Sequence, residues 1–182
     1  MLFDGSPHKK AFEAHRWPEC ASCHGTHGIK RPTDEQLGSG PRSLCVDCHK
    51  QYGKPECIET AQHFRKTIAS LESDRRALES DVDALGERGF DLDELRFLST
   101  SAEEGVEKTR QAIHTFDRSD FSRTAEEARK ETGSLRAGVE KRWGEYRYRR
   151  KGLLLSTALI SLFGALLFVK IRQVDRRAGR QE

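Results

Sequence analysis

Two pentapeptides, Cys20-Ala-Ser-Cys23-His24 and Cys45-Val-Asp-Cys48-His49, hold four of the five cysteines in the 182-residue chain. In a C-x-x-C-H motif the two thiols reach the two vinyl groups of a haem, and the adjacent histidine ligates the iron from the proximal side. The spacing therefore implies two covalently bound haem c groups. Cys20, Cys23, Cys45 and Cys48 are the attachment points, and His24 and His49 the proximal iron ligands. The same cysteines also form two C-x-x-C knuckles suited to structural zinc. Zinc explains the cysteines but gives no reason for a histidine directly after each pair, so haem is the preferred expectation. Disulfide pairing ranks third, because C-x-x-C pairs are more often redox or ligand sites. Cys57 has neither a paired cysteine nor a following histidine and is expected to be an unpaired thiol.

Each iron needs a second axial ligand. Methionine would raise the potential, but Met1 is the only methionine and precedes the whole motif region. Bis-histidine ligation and lower potentials are thus expected. The available histidines are His8, His15, His27, His63 and His114. His27 follows His24 too closely to cross the same haem, yet it is placed to ligate the neighbouring one. His8 has enough chain before Cys20 to reach a distal face. These two are the favoured distal ligands, with His15 and His63 in reserve and His114 assigned to a helical bundle.

The elements that must position these groups separate by composition. Residues 1–58 hold every cysteine and all five prolines but few large apolar residues. Such a segment buries too little apolar surface to order itself unaided, and a covalently tied macrocycle would supply the core. Residues 60–151 lack proline and repeat apolar residues at steps of three, four and seven. Ala61 to Leu85, Leu92 to Phe116 and Phe121 to Tyr146 form three such sets. The breaks fall at Gly86–Gly89 and Asp117–Asp120, with Asp91 and Asp120 as candidate N-caps. Three antiparallel coiled-coil helices are expected, each with one buried face.

Residues 152–170 form the third region. Leu153–Val169 has 13 apolar residues in 17 and no charge. That is enough for one membrane-spanning helix, with Lys151 and Lys170 snorkelling at its ends. Residues 171–182 are a basic tail. The predicted fold class is mainly α: a small loop-rich, haem-cored N-terminal domain, an antiparallel three-helix stalk and one C-terminal transmembrane helix. Basic residues flank the span on both sides, so charge alone does not orient it. With 32 Lys+Arg against 29 Asp+Glu, net charge +3, charge gives no case for a nucleic-acid partner.

On these residues the chain resembles membrane-anchored multihaem c-type cytochromes with doubled C-x-x-C-H motifs. The matching pieces are Phe3-Asp4-Gly5-Ser6-Pro7-His8, Cys20 through Ile29, and Cys45 through His49, followed by a helical region and a membrane helix. The resemblance implies that His8 and His27 are distal ligands. It also implies that the haem-bearing part faces the periplasm from the cytoplasmic membrane of a bacterium, with the tail in the cytoplasm. Met1-Leu2-Phe3-Asp4 has neither the basic start nor the apolar core of an export signal. The chain is therefore expected to be the C-terminal portion of a longer protein or to have a misassigned start; export through the membrane helix is the remaining route.

The function expected is electron transfer, since histidines on both axial sides leave no iron position open to substrate. Partners are then the quinol pool or a membrane quinol dehydrogenase on one side, and reductase subunits or other multihaem cytochromes on the other. The alternatives are a membrane-anchored zinc-knuckle interaction protein and a nitrite-type haem reductase subunit. The basic stretch Lys141–Lys151 would meet either acidic partners or lipid phosphates, the latter being the simpler reading.

Overall fold

All five prolines lie at or before Pro55, and beyond it the computed structural model is dominated by long helices. It describes residues 2–51 and 54–178. Met1 and the last four residues of the basic tail lie outside the described residues, among which no strand occurs. Residues Met1–Val139 form one compact unit and Glu140–Glu182 a second.

The first unit begins with a 3-10 turn, Leu2–Gly5, and α1, Pro7–His15. Pro7 stands at the first helical position, where its missing N–H leaves nothing unsatisfied. α1 ends where Arg16 turns left-handed (φ 55°) and Trp17 donates its N–H to Phe12. Phe12 is the buried residue of α1 and packs against Phe3 and Trp17. Two short helices follow, α2, Glu19–His24, and α3, Cys45–Gln51. A 3-10 turn at Asp34–Gln36 lies between them.

Three long helices complete the unit: α4, Pro55–Gly86; α5, Asp93–Ala112; and the first part of α6, Arg118–Ala178. Their contacts give an up-down-up order. A Cβ at Gly105 of α5 would meet Ala128 of α6 at 3.0 Å, and one at Gly138 of α6 would meet Leu95 of α5 at 2.8 Å. Residue numbers thus fall in α6 as they rise in α5, and the two run antiparallel. α4 and α6 run together, because Phe64 stacks on Phe121 at 4.0 Å and Asp74 pairs with Arg136 at 3.4 Å.

Every residue of the first periodic set, Ala61 to Leu85, is buried, as are Phe121, Ala125, Ala128, Leu135 and Val139 of the third. Periodicity missed Gly105 and the hydroxyl residues of the core. Thr109 and Thr132 are buried because each hydroxyl donates to a carbonyl one turn back, at 2.9 Å, which removes the cost of hiding it.

The two aspartates expected as caps part ways. Asp91 accepts the N–H of Asp93 at 3.0 Å but lies one residue before the N-cap of α5, which is Leu92. Asp120 does not cap α6. Asp117 does, accepting the N–H groups of Ser119 and Asp120 at 2.8 and 2.9 Å. The helix starts a turn before its first buried residue, Phe121, so apolar periodicity marks its start too late.

In the second unit α6 continues. Trp143 and Tyr146 meet edge to face at 5.7 Å, and Arg142 pairs with Glu145 at 3.3 Å. From Leu153 to Ile171 the large apolar side chains are exposed. This helix is long and apolar enough to cross a membrane, with mean hydropathy 2.3 in its most apolar window.

Candidate functional site

α2 places Cys20, Cys23 and His24 at helical positions i, i+3 and i+4, and α3 does the same for Cys45, Cys48 and His49. Residues at these intervals share one helix face. Each pentapeptide therefore presents two thiols and an imidazole in one direction. None of the five cysteines forms a disulfide. Burial pushes the Cys23 thiol pKa up, and the thiols of Cys45, Cys48 and Cys20 add to the shift. Cys57, half-buried at the start of α4, is raised by burial first and by Glu56 second.

The loop between the motifs is fastened to the helices behind it. Gly38 is buried at φ 85°, a conformation natural only to glycine, and a Cβ there would meet Gln62 of α4 at 2.8 Å. Arg110 of α5 spans Asp34 in the loop, at 3.3 Å, and Glu72 in α4, at 3.7 Å. Lys9 of α1 pairs with Glu19 of α2.

His8, the second residue of α1, meets His49 with ring centroids 5.8 Å apart and planes at 78°. Phe116 closes over the same imidazole at 4.0 Å, and Phe12 lies 5.8 Å away. Burial, with His49 as a second cause, lowers the His8 pKa and favours the neutral imidazole. Burial and then Lys54 lower that of His49. The Nδ1 of His8 is buried with no hydrogen-bond partner. An orphaned buried nitrogen costs about 1–3 kcal/mol, a cost that metal coordination removes.

His24, half-buried at the end of α2, faces the ring of His114 at 6.2 Å with planes at 32°. His114 lies in a 3-10 turn, Ile113–Thr115, between α5 and α6. His27 is exposed, with its Nδ1 3.0 Å from the Thr26 hydroxyl, and among the described residues its ring meets neither proximal histidine. His15 stacks on Trp17 at 4.7 Å. His63 of α4 lies near Phe64 and Phe121, at 6.3 and 6.2 Å. Burial, then Arg118 and Arg129, lower its pKa.

These donors suit haem c. Two metal–imidazole bonds of about 2 Å each, with the ring radii added, span about 6 Å between ring centres. His8–His49 and His24–His114 are both set at that separation, beside unpaired thiols in the attachment spacing. A closed zinc knuckle needs four ligands around one ion. Among the described residues no three His, Cys, Asp or Glu side chains gather in that way.

Residues 7–54 match the family model of the doubled CXXCH motif, a motif that indicates covalently bound c-type haem. No curated protein and no solved structure matches the chain.

Proposed function

We propose that this chain, whose residues 7–54 belong to the doubled-CXXCH family of multihaem c-type cytochromes, is a membrane-anchored electron carrier with two covalent haem c groups. Cys20 and Cys23 hold one and Cys45 and Cys48 the other, each S–H adding across a vinyl group to leave a thioether. His24 and His49 are the proximal ligands. Bound in this way, the iron supplies one-electron exchange between its ferric and ferrous states.

The observation that carries this reading is the imidazole of His8, its Nδ1 buried without a partner and its ring 5.8 Å from His49. It supports His8 as the distal ligand opposite His49. The iron on His24 needs a distal ligand of its own; His27 follows His24 too closely to cross the same haem, which leaves His15 and His63 from the sequence. With two histidines per iron no position is open to substrate, which favours a carrier over a reductase.

The apolar stretch of α6 is the anchor. Haem c is attached outside the cytoplasm, so residues 1–150 face the periplasm of a bacterium. Electrons then pass between the quinol pool, or a membrane dehydrogenase, and periplasmic partners such as other multihaem cytochromes.

The test is the full chain expressed with haem c maturation machinery. A pyridine haemochrome spectrum of c type and an intact mass increased by two haems are expected. Haem-free protein carrying stoichiometric zinc would refute the carrier.

A further inference from the structure

We propose that His114, outside the doubled-motif segment, is the distal axial ligand of the iron whose proximal ligand is His24. The inference rests on the dihaem reading above but concerns a residue which that reading leaves unused.

Position is the first argument. The His114 ring lies 6.2 Å from that of His24, near the separation at which two imidazoles share one metal atom. His27, three residues from His24, has no such placement. Its Nδ1 lies instead 3.0 Å from the Thr26 hydroxyl.

The second argument is the protonation of the ring. His114 Nδ1 lies 3.1 Å from the carbonyl oxygen of Gln111. A carbonyl only accepts, so Nδ1 is the nitrogen that carries the proton in the neutral tautomer and Nε2 is the one left for a metal. Histidine ligands of metals are commonly held in this way, with the second nitrogen donating to a backbone carbonyl that fixes the tautomer and the ring direction. In His27 the partner is a hydroxyl, which donates or accepts and fixes neither.

The third argument is the turn itself. His114 faces His24, and two residues on Phe116 covers His8 at 4.0 Å, in a left-handed conformation (φ 49°) that a bulky residue rarely adopts. One turn between α5 and α6 thus reaches both histidine pairs. The helical bundle is then part of the haem site. It completes the coordination of one haem and locks the segment to itself.

The experiment compares wild type, His114→Ala, His114→Met and His27→Ala, all full-length and matured with haem c, by electronic absorption, EPR and redox titration. His114 is exposed, so its truncation should leave the helical circular dichroism unchanged. In His114→Ala about half of the haem should become high-spin, and added imidazole should restore the low-spin state. His114→Met should stay low-spin, with one of two potentials raised, as methionine ligation does. His27→Ala should match wild type. Unchanged low-spin spectra and potentials in both His114 variants, or the high-spin change in His27→Ala instead, would overturn the assignment while leaving a dihaem carrier intact. Wild type without haem would overturn both.

Discussion

Phe116 lays its ring against the imidazole of His8, centroids 4.0 Å apart and planes at 66°. The two residues are far apart in the first unit's sequence, one in α1 and one in the turn before α6. Phe116 holds φ at 49° to make the contact, a backbone cost of about 1 kcal/mol or more for a non-glycine residue. Ring packing and backbone strain therefore oppose each other at one position, and two substitutions separate them. Phe116→Ala loses the ring and keeps most of the strain, so it should cost about 1–2 kcal/mol of stability for a half-buried aromatic. Phe116→Gly loses the ring but relaxes the backbone, and should recover part of that loss. Urea unfolding should rank wild type above Gly and Gly above Ala. An alanine variant as stable as wild type would show that the contact contributes nothing.

Glu72 is the hub of an ion network and lies at the foot of the inter-motif loop. Its carboxylate accepts from Arg75 and Arg76 at 3.0 and 2.6 Å, and Arg110, which also holds Asp34, lies 3.7 Å away. Hydrogen bonding from Arg75 is the main cause that lowers the Glu72 pKa from 4.5 to about 2. The unfolded chain takes up the proton first as pH falls, so this stabilisation is complete above pH 4.5 and is lost between there and about pH 2. Glu72→Gln should cost about 1 kcal/mol at pH 7, a modest figure because the network is partly solvated. Urea midpoints of variant and wild type should converge as pH drops below 4.5. A gap that stays constant through acid would mean the loss comes from packing.

Two mid-helix glycines should respond in opposite directions. At Gly105 of α5 a Cβ would meet Ala128 of α6 at 3.0 Å, whereas Gly133 is exposed and a Cβ there would meet nothing within 4 Å. Gly105→Leu forces two helix backbones apart and should destabilise by about 3 kcal/mol. Gly133→Ala meets no obstacle and should stabilise by about 1 kcal/mol through helix propensity. Thermal melts of both variants test the pair. A neutral Gly105→Leu would place the α5–α6 contact elsewhere.

The cysteine motifs were legible because C-x-x-C-H is a local code, readable within five residues. The bundle was legible where large apolar residues carry the period, as at Phe64, Ile68 and Leu71. What local pattern could not reveal is long-range. His114 looked like an ordinary residue of a helix end, because its neighbour His24 lies far back in the chain. A polar residue beside a break, between Ile113 and Phe116 but off the apolar face, was the one hint available. Asp117 is hidden as a cap in the sequence for a related reason. The helix it starts precedes the first buried side chain, and the hydrogen bonds that mark it belong to Ser119 and Asp120.

The two histidine pairs differ in ring angle, and that difference is measurable once iron is bound. His8 and His49 are nearly perpendicular at 78°, while His24 and His114 are tilted by 32°. In a low-spin ferric centre each imidazole donates through the p orbital normal to its ring. Rings close to coplanar act on one iron d orbital and split it from its partner, giving a rhombic EPR spectrum. Perpendicular rings act on both orbitals alike and leave them nearly degenerate, which stretches the spectrum toward one large g value. The oxidised protein should therefore show one strongly anisotropic and one rhombic low-spin signal in equal amount. His8→Ala should remove the anisotropic signal and His114→Ala the rhombic one. Both signals vanishing in a single variant would mean that the pairs share a ligand, and two identical rhombic signals would mean that the rings turn when iron binds.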